Sequence, residues 1–323
     1  MNSTAPTSKK IQRLAAILTR ECLGLMKSNS LLVIADDESS SIATAVWQQS
    51  LEITPTAYLL RLPKPAKKID QTLLISKFMN QVDLILLACK LQPNNISLIQ
   101  NVMDQGSRVA CLATTEIDFL SRTLVSNSGK LAINSQRLAD IFTIGKNLEL
   151  KCKNGTDLCL SLQRERGIAE IGKLDEQRKF TILPGGRAQI RPKSGSCNGI
   201  VIPNGSIDGV GLVREISKLQ FETGKIVNIR GGSEAKKFRA GFQKLPSAAK
   251  DIVRIGVGTN HHAHLSGNLD EDERAAGIIH LGIGSYELST PNILTSDYLR
   301  ITIRQADLSI DGKLVVKKGK IVV

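Results

Sequence analysis

Leu31-Leu32-Val33-Ile34-Ala35-Asp36-Asp37 is the stretch that decides the fold. Five apolar residues in a row, without alternation, suit a strand covered on both faces, as in a parallel sheet. The two aspartates stop it, and they read as the entry to a helix rather than as a catalytic pair. Upstream, Ile11, Leu14, Ala15, Leu18, Cys22 and Leu25 recur at helical spacing within residues 10–26, and Ser28-Asn29-Ser30 closes that helix. Downstream, residues 39–49 suit a helix entered through serine, and 58–62 a second strand. The pattern repeats with a strand over 82–88, a helix over 96–105 ended by Gly106, and a fourth strand over 108–112. Strands alternating with helices predict an open, mostly parallel sheet with right-handed crossovers. No GxGxxG follows the first strand and no GxxxxGK[ST] occurs anywhere, which argues against a dinucleotide or P-loop site.

From about Ile141 the texture changes. Short alternating segments such as Leu148-Glu149-Leu150-Lys151-Cys152 and Leu158-Cys159-Leu160-Ser161-Leu162 are separated by turn signals, among them Asn154-Gly155, Pro184-Gly185-Gly186 and Asp208-Gly209. One helix is expected within this part, over 233–242. The reading is therefore an α/β chain: an open parallel-sheet domain over 1–140, and a β-rich α+β domain over 141–323 that carries the site.

At 323 residues and 41% hydrophobic content the chain is long enough for two cores and too apolar for wholesale disorder. No apolar run approaches the roughly 20 residues of a membrane span, and the longest, 82–89, is interrupted by Asp83. The polar start MNSTAPTSKK precedes no signal-peptide core, so a cytoplasmic protein is expected. Six cysteines without CxxC spacing are expected to be reduced and structural. The net charge is +13; residues 1–150 carry 16 basic and 12 acidic side chains, and 151–323 carry 27 and 18, with no dense basic block. Only 3% of residues are aromatic, too few for base-stacking platforms, so nucleic acid is not the expected partner.

Four segments in order carry a resemblance: Asn154-Gly155-Thr156-Asp157-Leu158; Ile182-Leu183-Pro184-Gly185-Gly186; Ile255-Gly256-Val257-Gly258-Thr259-Asn260 leading to Leu269-Asp270-Glu271-Asp272-Glu273-Arg274; and Gly277-Ile278-Ile279-His280-Leu281-Gly282-Ile283-Gly284 with Tyr286 behind it. The series resembles the metal-dependent aminopeptidase T family, whose matching motifs build a two-metal site. The resemblance covers nearly the whole chain and implies that family's fold and a homodimer; an inactive scaffold would instead form a heteromer with an active homologue.

The metal ligands are where the chain departs from the family. Arg187 stands where the resemblance implies a glutamate after the Pro-Gly-Gly turn, and Arg254 where it implies one before the following strand. His280 and Tyr286 are kept; in the final HxD, Thr295 falls at the histidine and Asp297 keeps the carboxylate. Unit charges about 4 Å apart interact by about 4 kcal/mol at an effective dielectric near 20, so two guanidiniums oppose a pair of divalent ions. Two-metal peptidase chemistry is therefore not expected. The arginines suit a carboxylate or phosphate bound bidentately, or else pair internally with Asp297, Glu287 or another acid.

The main expectation is a cofactor-free enzyme acting on a peptide or small anionic molecule, for example peptide modification or cyclisation in biosynthesis. Arg187 and Arg254 would bind substrate while His280, Tyr286 and Asp297 carry the chemistry. Two alternatives stay open. One is a catalytically inactive binding or scaffold homologue. The other is a mononuclear oxygenase with one divalent metal, iron or zinc, held by His262, His264, His280 and Asp297. The 2,5-dihydroxypyridine dioxygenases resemble this scaffold and use a single iron. Finally, the run Asp270-Glu271-Asp272-Glu273 is read as the start of a helix, with carboxylates complementing its dipole.

Overall fold

A computed structural model describes residues 8–62, 73–89, 96–125, 129–162, 165–247, 250–284 and 297–323. The chain forms two compact units, Met1–Ser128 with Gly172–Gly185, and Gly129–Ile171 with Gly186–Val323. The change in sequence texture, at 141, falls inside the second unit and at neither of its borders with the first. The helix Gly129–Ile144 belongs to the second unit, and Gly172–Gly185 returns to the first.

In the first unit, strands β1 (Leu31–Ala35), β2 (Ala57–Arg61), β3 (Leu84–Leu87) and β4 (Arg108–Leu112) form a parallel sheet in the order β2-β1-β3-β4. The strand Phe180–Leu183 completes it, parallel to β4. All five β1 residues are buried, as the unbroken apolar run requires. Burial of each such Leu, Val or Ile side chain contributes about 1.5–3 kcal/mol.

The first helix begins as expected, with α-helical Lys9–Ala16, but continues as a π-helix over Ile17–Cys22. Thr19 sits at that transition, its Oγ1 donating to the carbonyls of Ala15 (2.9 Å) and Ala16 (3.2 Å). A hydroxyl competing for those acceptors loosens the ordinary ladder. The β1 aspartate does lead into a helix, Ser40–Leu51: Asp36 Oδ1 accepts from the Ser39 backbone N–H at 3.0 Å and from its hydroxyl at 2.8 Å.

Among the described residues, the second unit is built on a 15-stranded, mainly antiparallel sheet. At its centre, Asp251–Gly258 pairs antiparallel with Ile279–Gly284 and with Arg187–Ile190, and Ile168–Glu170 adds to the outer side of Arg187–Ile190. The apolar face of this centre presents Ala188, Ile190, Ile252, Ile255, Val257, Ile279, Leu281 and Ile283 to one continuous core. Helices Gly129–Ile144 and Ser233–Gln243 contribute Leu138, Phe142, Phe238 and Phe242 to the same core. The architecture is thus the expected one: a parallel α/β unit and a β-rich unit.

Candidate functional site

The other face of those central strands is polar, and register decides who meets there. Gly256 lies opposite Gln189 on one side and His280 on the other, while Arg187 lies opposite Gly258 and Glu170 opposite Arg187. Side chains alternate across a strand, so Glu170, Arg187, Gln189 and His280 share this face. Arg254 joins them by the same alternation, two residues before Gly256 on an unbroken stretch of strand. Ile252 pairs with Ile283 and Arg254 with Gly282, leaving Val253 as the extra residue. That bulge puts Ile252 on the opposite face, in the apolar core, although it stands only two residues before Arg254. Gly256 completes the arrangement by having no side chain: a Cβ there would stand 2.6 Å from the His280 ring and 2.4 Å from the Ala188 carbonyl.

The polar face is buried, with Arg187 4% exposed, Arg254 2%, and Glu273 and His280 0%. Arg187 clasps Glu170 bidentately, Nε to Oε2 at 2.7 Å and Nη2 to Oε1 at 2.9 Å, and its Nη1 donates to Glu273. Arg254 clasps the same Glu273 bidentately, at 2.8 and 3.0 Å. Its Nη1 also reaches Gln189 Oε1 (3.1 Å) and His280 Nδ1 (3.2 Å). Gln189 Nε2 closes the ring by donating to Glu170 Oε1 at 2.6 Å. Arg274, itself buried, stands 3.9 Å from Glu170.

Charges follow from this packing. Burial opposes the charge on Glu273, but the guanidiniums of Arg254, Arg300 and Arg187 prevail and hold its carboxyl well below the usual range. Burial, then the Arg254 charge, push the His280 imidazole well below its ordinary value, so it is neutral. Burial and the neighbouring Arg187 bring Arg274 down to about 10.

Arg187 and Arg254 therefore pair internally, with Glu170 and Glu273 as the acids. Sequence reasoning missed both acids as well as Gln189 and Arg274. Glu273 had one signal, its place in the acidic run, which does open a helix, though a short one. The helix is only Leu269–Asp272, and each carboxylate has a separate task. Asp270 takes Arg300 at 2.7 Å, Glu271 accepts from the His264 backbone N–H at 3.0 Å, and Asp272 accepts from the N–H groups of Ser266 and Gly267 at 2.6 and 2.9 Å.

The histidine cluster goes elsewhere. His261, His262 and His264 are exposed, whereas His280 is fully buried. Among the described residues no group of three or more His, Cys, Asp or Glu side chains is placed to hold a metal ion. Tyr286, Glu287 and Thr295 lie outside the described residues, as does the Asp297 side chain; the Asp297 backbone pairs with Gly284. All six cysteines are free thiols. No helix among the described residues is long and apolar enough to cross a membrane.

The sequence model of the NicX family, described as 2,5-dihydroxypyridine 5,6-dioxygenase, matches residues 52–323. The chain belongs to the NicX family. Among solved structures, this NicX-family chain is similar to the 2,5-dihydroxypyridine dioxygenase of Pseudomonas putida, with a TM-score of 0.84 at 18% identity over 99% of each chain. It is also similar to the wild-type AmpT of Thermus thermophilus, with a TM-score of 0.65 at 15% identity over 98% of this chain and 99% of that one. At such identities the likeness is one of fold. No curated protein matches the chain by sequence.

Membership in the NicX family corrects two expectations. The likeness to aminopeptidase T is real but confined to the shared fold; the aminopeptidase-like and peptide-binding descriptions give way to a dioxygenase family. The expectation of a cofactor-free chain falls with them, because dioxygenase chemistry on an aromatic ring is cofactor chemistry.

Proposed function

We propose that the protein is a NicX-type oxygenase that uses iron and dioxygen on a small hydroxylated N-heteroaromatic ring. The family match over residues 52–323 carries this reading. It is the single-metal alternative that the sequence had left open, now preferred to the peptide-directed one.

The Arg187–Arg254 cluster does not fit the iron. Both of its carboxylates are engaged by guanidiniums, and the one imidazole nitrogen facing the cluster lies against Arg254. Iron ligation needs free anionic oxygens and imidazole lone pairs. An iron used by this chain takes its ligands outside this cluster. What the cluster itself does is hold three central strands and the segment after Leu269–Asp272 in fixed relation, through hydrogen bonds strengthened by charge and by burial.

The test is direct. Protein reconstituted anaerobically with ferrous iron is given 2,5-dihydroxypyridine and oxygen. The expected result is uptake of one O2 per pyridine consumed, read with an oxygen electrode and by loss of the ring absorbance. Uptake no greater than that of free ferrous iron refutes the reading. A second reading, a non-catalytic binding homologue, draws on the same self-paired arginines, which fill the polar face without any ligand. Calorimetric binding of the pyridine without its consumption distinguishes that case.

A further inference from the structure

The contact between Arg254 and His280 has a chemical consequence of its own. His280 Nδ1 lies 3.2 Å from Arg254 Nη1, and both side chains are buried. A guanidinium has only donors and keeps its proton, so the imidazole nitrogen facing it presents a lone pair. A neutral imidazole has a single N–H, which therefore sits on Nε2. The doubly protonated form would set an N–H against the guanidinium and add a third cation beside Arg187 and Arg254 in a buried site. Nε2 has no hydrogen-bond partner among the described residues. Gly256 lets the ring lie against its backbone at that end, since a Cβ would stand 2.6 Å from Nε2.

We propose that Arg254 is a tautomer lock: it fixes His280 as the Nε2–H form, making this imidazole a permanent hydrogen-bond donor and removing the Nε2 lone pair that a divalent metal would need. Metal-bound histidines have the opposite polarity, with the far nitrogen donating to a carboxylate or carbonyl. Here the far nitrogen accepts from a cation. The Nε2–H accordingly suits an acceptor oxygen, and an unmade bond at a buried donor is unfavourable. Arg254 is a positioning residue in this scheme, acting through His280. Its substitution changes which ring nitrogen is protonated, a readout that a purely structural role leaves untouched. The lock is independent of the oxygenase reading, since iron held by other donors gives turnover whether or not His280 is locked.

The experiment is long-range 1H–15N correlation spectroscopy of the full chain with 15N-labelled histidine. With four histidines in the sequence, His280 is assigned as the spin system lost in His280→Gln. The expected wild-type pattern is a protonated Nε2 and a lone-pair shift at Nδ1, unmoved by added Zn2+ at concentrations that perturb the exposed histidines. A protonated Nδ1, a doubly protonated ring, or a Zn2+-induced shift at His280 overturns the proposal. In Arg254→Met, the lock predicts a second population protonated at Nδ1. A ring still wholly in the Nε2–H form in that variant also overturns it. If Arg254→Met fails to fold, the wild-type spectrum and its Zn2+ titration decide alone.

Discussion

Arg254 and Glu273 offer the sharpest test of how the second unit is held together. Each is fully enclosed, 2% and 0% exposed, and they share two hydrogen bonds of 2.8 and 3.0 Å. Removing one partner of such a pair leaves a buried charge without its counter-charge, which costs about 3–5 kcal/mol. Arg254→Met keeps the length of the side chain and removes all of its donors. It is expected to cost about 4 kcal/mol, because Glu273 loses its bidentate partner and, among the described residues, keeps a hydrogen-bonded guanidinium only from Arg187. Glu273→Gln is expected to cost a similar amount, about 3–5 kcal/mol, since two guanidiniums lose one shared anion. The double variant removes the charge and its counter-charge together. It is expected to be more stable than the sum of the single effects by about 2 kcal/mol or more. Stability is best followed by calorimetry or circular dichroism. The single tryptophan, Trp47, sits in the helix Ser40–Leu51 of the first unit, so its fluorescence does not report on the pair. Additivity of the two variants within about 0.5 kcal/mol, or a loss under about 1 kcal/mol for Arg254→Met, would falsify the account of a coupled buried network.

Two further perturbations follow from the same face. His280 is held neutral, with its folded value well below that of the unfolded chain, so on acidification the unfolded chain takes up a proton first. Its contribution is intact above about pH 6.5 and is lost as pH falls below that, by up to about 1.4 kcal/mol per pH unit. Glu273, also depressed, adds a second loss below about pH 4.3. Urea melts of wild type between pH 7 and 5 should show the first slope and His280→Gln should flatten it; equal slopes in the two proteins would rule out His280 as the source. Gly256→Ala places a Cβ 2.4 Å from a backbone carbonyl and 2.6 Å from the His280 ring, so a loss of about 3 kcal/mol or failure to fold is expected. A soluble variant melting within a degree or two of wild type would show that the strands yield more easily than the register implies.

The sequence reached furthest where structure is local. In the first unit β1 and the helices Ser40–Leu51 and Ile96–Asp104 could be read from period and punctuation, whereas Leu73–Met79 and Ile117–Thr123 could not, because an unbroken apolar run and a 3.6-residue repeat each describe a single element only where the element is long enough to show them. It also yielded the exchange of ligands for Arg187 and Arg254, together with the internal pairing of those arginines as one of two open outcomes. The acids that complete the pairs were not legible. Arg187 and Glu273 are 86 positions apart, one on a central strand and the other in the turn after Leu269–Asp272, and only the tertiary fold brings them together.

Tertiary structure alone decided the rest, for physical reasons that can be named. Phe180–Leu183 falls in the β-rich part of the sequence, yet it pairs parallel to β4 in the first unit, since a strand carries no local mark of the sheet edge that will accept it. Ile252 lies in the apolar core and Arg254 on the polar face, two residues apart, because one extra residue, Val253, reverses the alternation between them. The three clustered histidines are neighbours in the chain but stay exposed, while His280 is buried beneath a guanidinium. Sequence determined the elements and the unusual charges. Register determined which strand residues meet on the polar face, because side-chain direction in a sheet has a period of two, and one bulge keeps Ile252 off that face.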